Sequence, residues 1–142
     1  MPTTDQTSQT LLPHAIPDSF MPRLLLYTIR RMAVGGLHDA HASNALLGTF
    51  GLHHKRVQMF VRAFMAELAR SSSRSITVAP CCCRRMTAHE DALIRIVKSA
   101  AIDPQMMHAE LSALLGNADA RAPLAAAIGL SDVLTDLGRP LN

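Results

Sequence analysis

The chain has 142 residues, 49% of them hydrophobic and 18% charged, with a formal net charge of +3. That balance excludes a disordered chain and fits one domain with a real core. No apolar run approaches the roughly 20 residues of a membrane-spanning helix. Aromatic residues are only 4% and Trp is absent, so the core must come from Leu, Ala, Ile, Val and eight Met. Ala and Leu favour helix, and Met fills gaps between packed helices.

In chain order, residues 1–17 read as a flexible arm rich in Thr and Gln, with Pro13 and Pro17, and with Leu11, Leu12 and Ile16 able to pin it to the body. The start, MPTTDQTSQT, carries no base before an apolar stretch. No secretory signal is expected there, and the expected location is cytoplasmic. Asp18 or Ser19 caps a first helix that runs to about Val34 and stops at Gly35-Gly36. Leu25, Ile29 and Met32 line its inner face, and Arg23, Arg30 and Arg31 are expected to reach water.

A second helix is expected over about 37–50, with Ala42, Ala45 and Gly48 as a small-residue track, and a third over about 54–70. In the third, Val57, Phe60, Val61, Phe64 and Leu68 form one apolar stripe. Residues 75–79, SITVA, are the one β-like stretch and stop at Pro80. They read as an extended connector, or as an edge for a second copy of the chain. Thr87 and Glu90 make a T-x-x-E capping box before a helix over about 88–101. Asp103-Pro104 opens a helix to Leu115, and an Ala-rich helix spans about 123–137 with Gly129 as its weak point. The expected fold is therefore an all-α, single-domain bundle of five or six helices over residues 18–142, with a short extended segment before a cysteine triplet.

The segments RLLLYTIRRMAVGGLHDAHASNALLGTFG, RAFMAELAR and ITVAPCCCRRMTAHE resemble a small bacterial family of unknown function, whose most specific string is PCCC-x-R-M-T. The resemblance implies a compact helical protein and supplies no activity.

Three features carry chemistry. Cys81, Cys82 and Cys83 are adjacent, precede Arg84 and Arg85, and lie between an extended stretch and a capped helix. Nearby cations and a helix N-terminus favour thiolate, which points to redox or thiol chemistry. In extended backbone Cys81 and Cys83 share a face and Cys82 points away. Zinc sites space their cysteines by two to four and need four ligands, so a metal ion fits less well. Small apolar residues buried at a tight turn are the bland alternative. His38 and His41, three apart, with His53 a helix later, form a candidate metal set. Residues 42–68 also admit a helix-turn-helix in which Lys55, Arg56, Gln58 and Arg62 face nucleic acid.

Eight bases against two acids in residues 23–74 give the first half an anionic preference, while residues 99–142 are acidic. No phosphate loop, G-x-S-x-G or H-E-x-x-H occurs. The expected function is a non-enzymatic cytoplasmic regulatory or interaction protein with a redox- or metal-responsive cysteine triplet and a protein or self partner. A helix-turn-helix nucleic-acid binder and a thiol-dependent enzyme are the alternatives.

Overall fold

The first helix sets the architecture. The computed structural model describes residues 12–142, and in it α1, Phe20–Gly35, is buried at Leu24, Leu25, Leu26, Thr28, Ile29, Arg30 and Met32. Three consecutive leucines span about 200° of a helix at 3.6 residues per turn. Such a helix cannot lie on a surface with a single inward stripe, so the chain must wrap it on more than one side. Helices α2, Ala40–Phe50, and α3, His54–Ser71, cover one side. The segment that follows α3, together with helix α4, Ala88–Ser99, covers another.

Helix α5, Pro104–Leu115, packs on α4, and α6, Arg121–Asp136, closes the bundle along α3. The expected stripe of α3 is the centre of the core: Val57, Val61, Phe64 and Leu68 are all buried. Phe60 lies at its edge and packs on α6, where a Cβ added at Gly129 would come within 2.7 Å of the Phe60 ring. Gly129, a weak point by propensity, is thus what lets the two helices meet. The one two-stranded ladder among the described residues is very short: β1, His14–Ala15, pairs antiparallel with β2, Arg85–Met86. Six α-helices among the described residues agree with the all-α expectation.

Several local expectations need correction. Helix α2 starts at Ala40, not near Leu37, because Asp39 is its N-cap and accepts a hydrogen bond from the Ala42 amide at 2.9 Å. The α1–α2 turn depends on two glycines. Gly36 has φ of 90°, and a Cβ at Gly35 would collide with the Asp39 carboxylate. The small-residue track does not form one contact, since Ala42 is buried while Gly48 is exposed. Residues 75–79 form no strand, and the strand of this region lies after the cysteines. Of the arm expected over 1–17, residues 1–11 lie outside the described residues. Residues 12–17 include β1 and Ile16, which packs on the core.

Phe64 is fully buried, so Phe64→Ala removes a core aromatic that the surrounding helices cannot collapse to replace. It is expected to cost about 3–5 kcal/mol, measured as a lowered urea midpoint with far-UV circular dichroism remaining helical.

Candidate functional site

Arg30 was expected at the surface and is instead only 2% exposed. Its guanidinium meets Glu90 of α4 in a bidentate pair, Nε donating to Oε2 at 2.7 Å and Nη2 to Oε1 at 3.0 Å. Nη1 also donates to the Cys83 carbonyl at 2.8 Å, and Nη2 to the Arg85 carbonyl at 2.7 Å. Burial opposes the charge on Arg30. The hydrogen bonds and field of Glu90, helped by Cys83 and Cys81, more than reverse that effect and hold its pKa above the usual value.

Glu90 is equally saturated. Besides Arg30, its oxygens accept from the amides of Thr87 at 2.9 Å and Ala79 at 3.2 Å. The first of these is half of the expected capping box, and the Glu90 amide donating to Thr87 Oγ1 at 3.0 Å is the other half. Thr87 Oγ1 donates onward to the Thr77 carbonyl at 2.7 Å, and the Thr77 amide donates to His89 Nδ1 at 2.8 Å. The SITVA connector therefore finds its backbone partners in side chains at the head of α4 and needs no neighbouring strand.

This hub positions the cysteines. The Cys83 amide donates to the Pro80 carbonyl at 3.0 Å, which closes a turn. Cys81 and Cys83 are half-buried, and Cys82 is exposed. Cys81 and Cys83 open into one cleft of about 190 Å³ that is shared with Ile16, Arg23, Leu26, Tyr27 and Arg30. Arg31 lies at the same end of α1, paired bidentately to Asp39 at 3.0 and 3.2 Å. Its charge is held first by Asp39 and also by the adjacent Cys81. All three cysteines are free thiols.

The supporting arginines divide. Arg84 is exposed. Arg85 turns to the N-terminal segment, donating to the carbonyls of Leu12 at 2.7 Å and Pro13 at 2.9 Å, beside the β1–β2 ladder.

The histidines do not assemble. His38 lies in the turn before α2 while His41 is in the helix, so they do not share a helical face, and both are exposed, as is His53. Among the described residues no group of three or more His, Cys, Asp or Glu side chains is placed to hold a metal ion. The nucleic-acid candidates are largely engaged within the fold. Gln58 is buried and donates to Ser43, so it cannot reach a base edge. Arg62 donates to the Leu37 carbonyl at 2.7 Å, and Arg56 lies 3.9 Å from Asp136. Lys55 is exposed.

Two features had signals in the sequence that were passed over. Leu26 and Arg30 are four apart, so a buried Leu26 carries Arg30 inward. The capping-box Glu90 has a carboxylate with lone pairs to spare for a distant cation. Arg23 and Tyr27, which line the cleft two turns and one turn before Arg30, had no such signal.

Fold and site together define a small all-α protein in which two thiols share an arginine-lined cleft beside a buried ion pair. The chain belongs to a family of unknown function, DUF6628, whose model matches residues 4–138. No curated protein and no solved structure matches it. No helix among the described residues is long and apolar enough to cross a membrane.

Glu90→Ala would strand the Arg30 charge in the interior and remove half of the capping box. It is expected to cost about 3–5 kcal/mol in chemical denaturation. Replacing the pair together, as Arg30→Met with Glu90→Leu, is expected to cost less than Glu90→Ala alone. A second expectation concerns pH. Hydrogen bonds from Arg31, then the Ala42 amide, lower the Asp39 pKa to about 2, below the roughly 3.9 of an unfolded chain. A depressed carboxyl stabilises the fold above its unfolded pKa, and this contribution fades as pH falls from about 5 towards 2. The melting temperature of Asp39→Asn should accordingly converge on that of wild type as the pH is lowered through this range.

Proposed function

We propose that this protein is a non-enzymatic, thiol-responsive regulatory or interaction protein of the bacterial cytoplasm, with Cys81 and Cys83 as its responsive groups. The observation that carries this reading is that Cys81 and Cys83 open together into a cleft walled by Arg23 and Arg30, while Cys82 faces water. Guanidinium groups beside a thiol favour the thiolate, which is the nucleophile in thiol chemistry. A redox response is favoured over a metal response because no third ligand gathers near the triplet among the described residues.

The response has a route out of the cleft. The Cys83 and Arg85 carbonyls are both bonded to Arg30. An adduct or disulfide that shifts this turn strains the buried pair. Through Arg85 it also loosens the hold on residues 12–13. The thiol state is thereby expressed as a change in the surface formed by the N-terminal segment and the 80–87 turn, which is what a protein partner would read. The PCCC-x-R-M-T string fits this role. It unites the thiols with Arg85, which grips the N-terminal segment, the core residue Met86 and the helix cap Thr87.

Timed alkylation with iodoacetamide and peptide mass spectrometry tests the reading, with the exposed Cys82 as internal reference. Cys81 or Cys83 is expected to alkylate faster than Cys82 in the folded protein and to lose that advantage in urea. The modified protein should melt several degrees lower than the unmodified one. Fastest reaction at Cys82, with the other two protected until unfolding, would leave only packing at Cys81 and Cys83.

A further inference from the structure

The cleft has a charge pattern that selects among reagents. None of the side chains that line it is acidic, and two are arginines. The charge of Arg30 is matched by Glu90, and that of the nearby Arg31 by Asp39. Arg23, exposed on the outer face of α1, makes no ion pair among the described residues. Arg84 likewise has none, and Arg85 is held by carbonyl oxygens alone. The thiols thus sit in an excess of positive charge focused on a recess with apolar walls, Leu26 and Ile16. At about 190 Å³ the recess is below the roughly 300 Å³ at which drug-sized sites begin. It suits a small molecule, or one end of it.

We infer that the cleft is a reaction site for a small anionic disulfide, such as the oxidised form of an acidic peptide thiol, with Arg23 receiving its carboxylate. This inference rests on the thiol-responsive reading and names its reactant. In the first step the Cys81 thiol gives up its proton and its sulfur attacks one sulfur of R–S–S–R. The S–S bond of the reagent breaks, Cys81–S–S–R forms, and R–S⁻ leaves and takes up the proton. Cys83 then attacks Cys81 Sγ, its own proton passing to the second R–S⁻, which leaves as thiol. The two cysteines are oxidised by two electrons to a Cys81–Cys83 disulfide, and the reagent is reduced to two thiols. Cys81 is assigned the first attack because the backbone of Cys83 is pinned at both its amide, by the Pro80 carbonyl, and its carbonyl, by Arg30. Cys83 follows because it opens on the same cleft. Cys82 faces away and takes no part.

The test compares two disulfides of opposite charge on the full-length protein: oxidised glutathione, which is anionic, and cystamine, which is cationic. Adducts at each cysteine and the Cys81–Cys83 disulfide are followed by mass spectrometry, in buffer and in urea. The ratio in urea measures what Arg84 and Arg85 contribute merely by being adjacent in sequence. One unit of charge within several ångströms, in water-like screening, changes each rate by a few-fold in opposite directions. The folded protein is therefore expected to favour glutathione about tenfold beyond the urea ratio. Arg23→Glu should abolish that preference and Arg23→Lys should keep it, with both variants folding normally because Arg23 is exposed. Reaction at Cys81 and Cys83 with no charge preference, or a preference indifferent to Arg23→Glu, would overturn this inference while leaving the thiol-responsive reading intact. No reaction at either residue in the folded protein would overturn both.

Discussion

Arg30 and Glu90 impose the constraint around which the rest of this fold is arranged. Two opposite charges removed from water cost several kcal/mol each before their attraction is counted. A buried pair is tolerable only when its remaining lone pairs and protons are also met. Here that requirement recruits the Cys83 and Arg85 carbonyls for the guanidinium, and the Thr87 and Ala79 amides for the carboxylate. Each of those groups belongs to the stretch between α3 and the body of α4. A stretch whose only regular structure is the two-residue strand β2 is thereby held in place by side chains of α1 and α4 as well as by its own buried residues Ala79 and Met86. Much of its hydrogen bonding meets the electrostatic demand of one residue on α1.

The same economy explains how the connector is held without a sheet. Buried backbone groups need partners, and the SITVA sequence suggests a ladder as their source. The head of α4 supplies side chains instead: Thr87, His89 and Glu90 each bond to residues 77–79. Only Arg85–Met86 joins a strand pair, and that pair anchors the N-terminal segment. The segment, the cysteine turn and the buried pair form one connected set of hydrogen bonds.

Most of the bundle was legible because helix ends are written in local chemistry. The capping box at Thr87, Asp103 before Pro104, and the glycines after α1 and α5 mark boundaries that the structure reproduces closely. The stripe of α3 was legible because its partners lie on one side. What escaped were residues whose environment is set by distant parts of the chain. Arg30 reads as a surface charge on any scale that treats positions singly, and only the burial of Leu26 one turn earlier argues otherwise. Gln58 reads as a base-reading side chain until Ser43 folds against it. The helical face assigned to His38 and His41 vanished when Asp39, held by Arg31, began the helix three residues later than expected. In each case a long side chain found an intramolecular partner that sequence spacing alone does not reveal. The backbone at Cys81, Cys82 and Cys83 was expected to be extended and is instead a turn closed by the Cys83 amide on the Pro80 carbonyl, so Cys81 and Cys83 reach one cleft by a different geometry from the one expected.

The link between the cysteine turn and the buried pair has a thermodynamic consequence that runs in both directions. If oxidising Cys81 and Cys83 weakens the hold of the turn on Arg30, the intact hold must, by the same free energy, resist oxidation. Each 1.4 kcal/mol of such coupling shifts a two-electron thiol couple by about 30 mV. On that premise, a turn whose carbonyls solvate a buried guanidinium would give its thiols a lower tendency to oxidise than the same residues have in an unfolded chain. The nearby arginines act on a different quantity. They draw anionic reagent into the cleft, which bears on how fast exchange begins and not on where it ends. Under the proposed thiol response, a rate set by the arginines of the cleft and an end point set by Arg30 and Glu90 would be separable properties. Arg30 is the one residue that enters both, since it lines the cleft with one edge and closes the core with the other.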